Sequence, residues 1–261
     1  LFEDVDTVLH WHPSDRNSAN AETSLANKSA RFKFRGISSH AAAAPERGRS
    51  ALDGVEAMNY MVNMMREHVP QETRIHYVIT KGGEAPNVVP DYAEVYYYVR
   101  HPQAEKLLQL WERLLDISRA AALGTGTDVE VEVMHGNHSL LPNKRLSRRM
   151  HANLTRVGGV RYNAEEQTFA EEISGSLGVG DFVGMEKEIL RFELRQGMGS
   201  TDVGDVSWVV PTVGLRTSTW VPGTASHSWQ AIAAGGTSIG TKGMRLAAKA
   251  LSLTARDLFL D

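Results

Sequence analysis

Cysteine is absent from the 261 residues, which excludes disulfides and thiolate ligands and leaves imidazole and carboxylate to hold any metal. Long hydrophobic runs are lacking too. The longest apolar stretches fall far short of the roughly 20 residues a membrane helix needs, and no leader-like pattern opens the chain. No block of one charge sign occurs. With 28 Lys and Arg against 31 Asp and Glu, the net charge is −3 and the cations are scattered, so the basic footprint of a nucleic-acid binder is missing. A starting methionine is also lacking: Leu1 stands inside what reads as a strand running through Val5 and Val8-Leu9, and we expect an N-terminal portion with more of the site to precede it. What is present suits a globular enzyme. The 42% of hydrophobic residues can fill one large core or two modest ones, so small-molecule or protein partners are expected, with no nucleic acid and no membrane, at a cytoplasmic address.

Residues 26–137 read as an inserted unit. Arg31 to Arg35 alternates polar and apolar as a half-buried strand does; Ser50 caps a helical run with Leu52, Val55, Met58, Val62 and Met65 on one face. Arg74 to Thr80 and Ala93 to Arg100 are further strands. Pro102 opens a second helix, ended by Gly124 and Gly126, and Val129 to Val133 makes the fourth strand. Strand-helix-strand-strand-helix-strand is the ferredoxin-like pattern.

The flanks, 1–25 and 138–261, read as the two parts of an open α/β sheet interrupted by this insertion. Polar connectors at 14–24 and 137–143 have the composition of hinges. Helix returns from Leu146, followed by an irregular Gly/Glu-rich stretch, a short strand Val206 to Val210, another at Val213 to Thr217, and a closing helix Met244 to Leu260. Gly236 to Lys242 has the flavour of a phosphate loop but lacks its Gly-Lys-Ser/Thr ending, and is set aside.

Four features carry chemical interest. His12 follows an apolar strand, where α/β sheets place ligands; His10, two residues earlier, shares its side but lies deeper. His227 sits in a Gly/Ser/Thr loop between Trp220 and Trp229. Gly199-Ser200-Thr201-Asp202 offers amides and hydroxyls that suit a carboxylate, and also suits a plain tight turn. His40 stands just past the first strand of the insertion, among small residues. Singly, each histidine is more often structural than functional.

Together these residues are more specific. Leu9-His-Trp-His12-Pro, Gly36-Ile-Ser-Ser-His40 running to Pro45, Gly82-Gly-Glu-Ala-Pro-Asn87 with Arg100 thirteen residues on, Gly199-Ser-Thr-Asp202, and His227 occur in the order seen in the zinc aminoacylase/carboxypeptidase family of amidohydrolases, which this chain resembles. The resemblance implies a metallo-exopeptidase-like α/β catalytic domain, incomplete here, with an inserted ferredoxin-like α+β lid that also dimerises. It implies His12 and His227 as metal ligands, with one or two divalent ions, zinc or manganese, per site. His40 is then the residue that reaches a neighbouring protomer and polarises the scissile carbonyl. Asn87, Arg100 and the Gly199, Ser200, Thr201 and Asp202 turn then bind substrate.

The family's upstream ligands and Glu-Glu pair are not among these residues, and Glu171-Glu172, which follows the lid, reads as a solvated helix pair. The expected activity is hydrolysis of an N-acyl or N-aroyl amino acid such as p-aminobenzoyl-glutamate, by a homodimer or a heterodimer with a homologous subunit. A dipeptidase or carboxypeptidase of the same family, or a non-catalytic dimerisation fragment, stays open.

Overall fold

The computed structural model describes residues 2–260 and divides the chain into two units. One comprises Leu1–Thr23, Leu141–Gln196 and Val206–Asp261; the other comprises Ser24–Leu140 and Gly197–Asp205.

In the second unit, β3 (Ala26–Arg35), α1 (Ala51–Met65), β4 (Arg74–Lys81), β5 (Tyr92–His101), α2 (Ala104–Thr125) and β6 (Asp128–Asn137) form the ferredoxin-like arrangement, its antiparallel sheet ordered β4-β5-β3-β6. Alternation places Phe32, Phe34, Val95, Tyr97 and Val99 on one face, buried against Val55, Met58, Trp111 and Leu114 of the two helices. Ser50 caps α1 by accepting the Asp53 N–H, and Gly126 ends α2 in the left-handed conformation. The opposite, polar face carries no helix of this unit's pair. Edge strand β4 leaves Tyr77, Val78 and Ile79 exposed.

The first unit is built on β1 (Val8–Ser14) paired parallel with β8 (Thr212–Ser218), with a smaller parallel pair of β2 (Ala21–Thr23) and β7 (Leu194–Gln196). Leu9, Trp11, Val213 and Leu215 pack on α3 (Lys144–Val157) and α7 (Ser238–Leu260) through Met150, Leu154, Leu246 and Ala250. A second cluster joins α4 (Ala164–Gly175) and α6 (Trp229–Gly235) to Val221 and Ile239.

Three expectations are corrected. The run Val206 to Val210 is not a strand: α5 (Val203–Ser207) occupies its start, and the Val209 and Val210 N–H groups both donate to the Val206 carbonyl at 3.0 Å. Thr201 Oγ accepts the Val203 N–H at 3.3 Å, a capping contact that a short apolar run does not reveal. The irregular Gly/Glu-rich stretch contains α4, started by a capping box between Asn163 and Glu166. The connector at 14–24 is pinned: Asn17 is fully buried, donates to the Glu186 and Glu188 carbonyls at 2.8 and 3.0 Å, and accepts the Ser218 N–H at 2.8 Å.

Candidate functional site

In the first unit, parallel pairing brings the carboxyl ends of β1 and β8 to one edge. His12 stands there, exposed, with Nδ1 2.6 Å from the Pro13 carbonyl oxygen. A carbonyl only accepts, so Nδ1 carries the proton and Nε2 keeps a free lone pair. His10 lies deeper. Burial first, then the Arg216 and His12 charges, lowers its pKa, and its ring covers Gly214, its register partner on β8, where a Cβ would collide with it.

The loop after β8 is fastened to the same edge. Thr219 and Trp220 donate backbone N–H groups to the Ser14 carbonyl at 2.9 and 3.2 Å, and Gly223 donates to the Asp15 carboxylate at 3.1 Å. His227 follows in this loop with φ of 62°, the one non-glycine residue among those described in left-handed backbone. Such strain persists only where the surroundings impose it, and gathers at functional sites. Among the described residues, no three His, Asp or Glu side chains are grouped to hold a metal. Two imidazoles suit zinc by donor type, whereas manganese favours oxygen donors, and they fall short in number, since a catalytic zinc takes about three protein ligands.

In the second unit the predicted residues fall at opposite ends of the sheet. Beyond the last residue of β3, Gly36 packs against the Arg49 carbonyl too closely for a side chain. The chain then bridges from His40 to Val88, and Ala41 N–H donates to the Asn87 carbonyl at 3.0 Å. His40 and Asn87 are thus held together, both exposed. His40 Nδ1 accepts the Ala42 and Ala43 N–H groups at 3.2 and 3.1 Å, which puts the ring proton on Nε2, facing outward as a donor.

At the other end, register aligns Arg74, Arg100, Asn27 and Asn137 in one row across β4, β5, β3 and β6. The next row on this face is His76, Tyr98, Ser29 and His135, where Tyr98 Oη lies 2.8 Å from His135 Nε2. The Arg100 guanidinium stacks on the Tyr98 ring at 5.3 Å. The Gly199–Asp202 turn docks on this end: the Gly199 carbonyl accepts the Leu25 N–H at 2.7 Å, and Asn137 Nδ2 donates to the Thr201 carbonyl at 3.1 Å.

Three buried polar atoms here have no hydrogen-bond partner among the described residues: Arg100 Nε, Asn27 Oδ1 and Ser200 Oγ. An unpaired buried polar group costs about 1–3 kcal/mol, so each of these atoms calls for an explanation. Asp202 is exposed, and its carboxylate accepts a hydrogen bond from the Thr201 hydroxyl.

Asn27, Arg74, Tyr98 and His135 were not singled out from the sequence. Counting the alternation of Arg31 to Arg35 back to residue 27 puts Asn27 on the polar face; the long-range register that sets it beside Arg100 leaves no local signal.

Residues 26–125 match the peptidase dimerisation domain of the M20 group. The whole chain is 37% identical to one of the subunits of p-aminobenzoyl-glutamate hydrolase from Escherichia coli strain K12, and spans 60% of that protein. It is 32% identical over 98% of its length to the Xaa-Arg dipeptidase of Mus musculus, spanning 53% of it. Among solved structures, an aminobenzoyl-glutamate utilization protein from Klebsiella pneumoniae aligns over 96% of this chain and 55% of its own, with TM-score 0.58 and 17% identity. An amidase of the hydantoinase/carbamoylase family from Burkholderia vietnamiensis aligns over 95% of this chain and 55% of its own, with TM-score 0.61 and 16% identity; both show a shared fold.

Proposed function

The chain belongs to the family of amidohydrolases and peptidases that carry the M20 peptidase dimerisation domain, and on that footing we propose that it serves the hydrolysis of an N-acyl or N-aroyl amino acid, p-aminobenzoyl-glutamate among them. The observation that carries this reading is the unpaired set of Arg100 Nε, Asn27 Oδ1 and Ser200 Oγ beside the docked Gly199–Asp202 turn. A planar guanidinium donor suits the carboxylate of an amino acid, and the acceptor beside it suits an amide N–H.

His40 supplies the complementary group. Its outward Nε2–H is a fixed donor for the oxygen of a scissile carbonyl as negative charge develops there. Amidohydrolases of this family generally depend on a divalent metal. His12 and His227 are the residues of this chain that would hold it, and bound there it would supply a polarising charge and a water of lowered pKa.

The His40 loop follows the last residue of β3 and Asn27 sits near its first, eight residues from Arg35, or about 26 Å of strand. That is longer than an amino acid carrying a compact acyl or aroyl group such as p-aminobenzoyl. His40 and Arg100 of one copy therefore serve different substrate molecules, and a complete site takes His40 and Asn87 from one dimerisation domain and the Arg100 row from another copy or a homologous subunit.

Release of free amino acid from a panel of N-acyl and N-aroyl amino acids by the whole protein, before and after chelation, tests this reading. Metal-dependent amide cleavage is expected. Failure to cleave every member of the panel with metal restored would remove it.

A further inference from the structure

Resting on the reading of Arg100 as the carboxylate partner, we propose that Arg74 recognises a second carboxylate, so that the site selects N-acyl amino acids with an acidic side chain. Arg74 and Arg100 are direct cross-strand partners on β4 and β5. Like charges placed opposite one another destabilise a sheet, and such a pair is ordinarily offset by an acid nearby. Among the described residues neither arginine makes an ion pair: those on this face join Arg31, Lys33 and Arg35 to Glu94, Glu130 and Glu132, toward the other end of the strands.

The surrounding field has one sign. After burial, the charges that depress the pKa of neighbouring His76 are those of Arg100, Arg66 and Arg74, with no carboxylate opposing them. Arg74 is also preset in position. Its Nη1 donates to the Gln71 and Thr73 carbonyls at 2.8 and 2.7 Å, which anchors the guanidinium while Nε and Nη2 stay available. An exposed arginine normally loses side-chain entropy when it grips a ligand, and this anchoring removes part of that loss beforehand.

Two cations in adjacent strands lie about 5 Å apart at the backbone, close enough for the two carboxylates of a glutamate-type residue to meet one each. A neutral amide in place of the second carboxylate keeps the Arg100 contact and loses the Arg74 one. A cationic side chain there is repelled by both.

The test is calorimetric titration of the protein with N-acetylglutamate, N-acetylglutamine and N-acetylarginine, which reads binding without needing turnover. Wild type should bind N-acetylglutamate roughly tenfold more tightly than N-acetylglutamine, and N-acetylarginine most weakly. Arg74→Gln should erase the first difference by weakening N-acetylglutamate alone, Arg74→Lys should keep most of it, and Arg100→Gln should weaken both. Equal wild-type affinity for N-acetylglutamate and N-acetylglutamine overturns the inference and leaves amide hydrolysis standing. Binding of none of the three removes the Arg100 reading along with it. An Arg74→Gln protein that weakens both ligands equally, or that changes oligomeric mass, makes Arg74 a structural residue and also overturns the inference.

Discussion

Asn27 stands directly opposite Arg100 across the paired strands β3 and β5, and each keeps one buried polar atom without a partner among the described residues: an acceptor on Asn27, which is only 4% exposed, and a donor on Arg100. Burial without satisfaction lowers stability, and the proposed function reads the pair as offered to a ligand. Replacing each partner should separate the two effects.

Asn27→Val fits strand geometry and removes the orphaned acceptor. We predict a melting temperature equal to or above that of wild type, with KM for N-acyl amino acids raised; Arg100→Gln should raise KM about 10- to 100-fold, as loss of a charge-assisted contact does. A marked drop in melting temperature for Asn27→Val with unchanged KM would assign Asn27 to packing.

The candidate metal ligands of the first unit give a second prediction. In the whole protein, His12→Ala and His227→Ala should each lower bound divalent metal per protomer, because each removes a ligand. His10→Ala should leave metal content near wild type, since that imidazole packs over Gly214. Equal metal content in His12→Ala and wild type, measured by elemental analysis, would sink the ligand assignment.

A third prediction concerns acid stability. Burial alone would raise the pKa of the Glu166 carboxyl, but hydrogen bonds from Lys242, Ser238 and the Asn163 N–H outweigh it and hold it below the ordinary value. A depressed folded-state pKa contributes stability that is present above the unfolded value of about 4.3 and is lost as pH falls through the folded one. Glu166→Gln should therefore destabilise at neutral pH by about 1–3 kcal/mol and flatten the loss of stability below roughly pH 4. Urea midpoints measured across that range decide it; parallel curves for variant and wild type would contradict the assignment.

The dimerisation domain was readable from the sequence because its signals are local. Alternation in Arg31 to Arg35 and Ala93 to Arg100, the Ser50 cap and the Gly126 stop each act within a few residues, and they add up to the observed strand order. The candidate histidines and the Gly199–Asp202 turn were found by motif. What was hidden depends on partners far along the chain. Asn17 looked like a hinge residue because its three hydrogen bonds reach residues 186, 188 and 218. Val206 to Val210 looked like a strand because nothing in its valines and tryptophan reveals the Thr201 contact at the start of the helix that runs into them. The row of Arg74, Arg100 and Asn27 exists only once three strands find their register.

The central claim is that the His40 end and the Arg100 end of the dimerisation domain act in one reaction although a strand's length separates them. Mixing a His40→Ala protein with an Arg100→Gln protein, each impaired alone at low substrate, tests it most directly, because heterodimers then hold one site with an intact His40 and an intact Arg100 row. The account predicts recovered hydrolysis that grows with subunit exchange, up to about a quarter of wild-type activity for random pairing into dimers with one intact site in half of them. Complete exchange, shown by mass, without any recovery would contradict it.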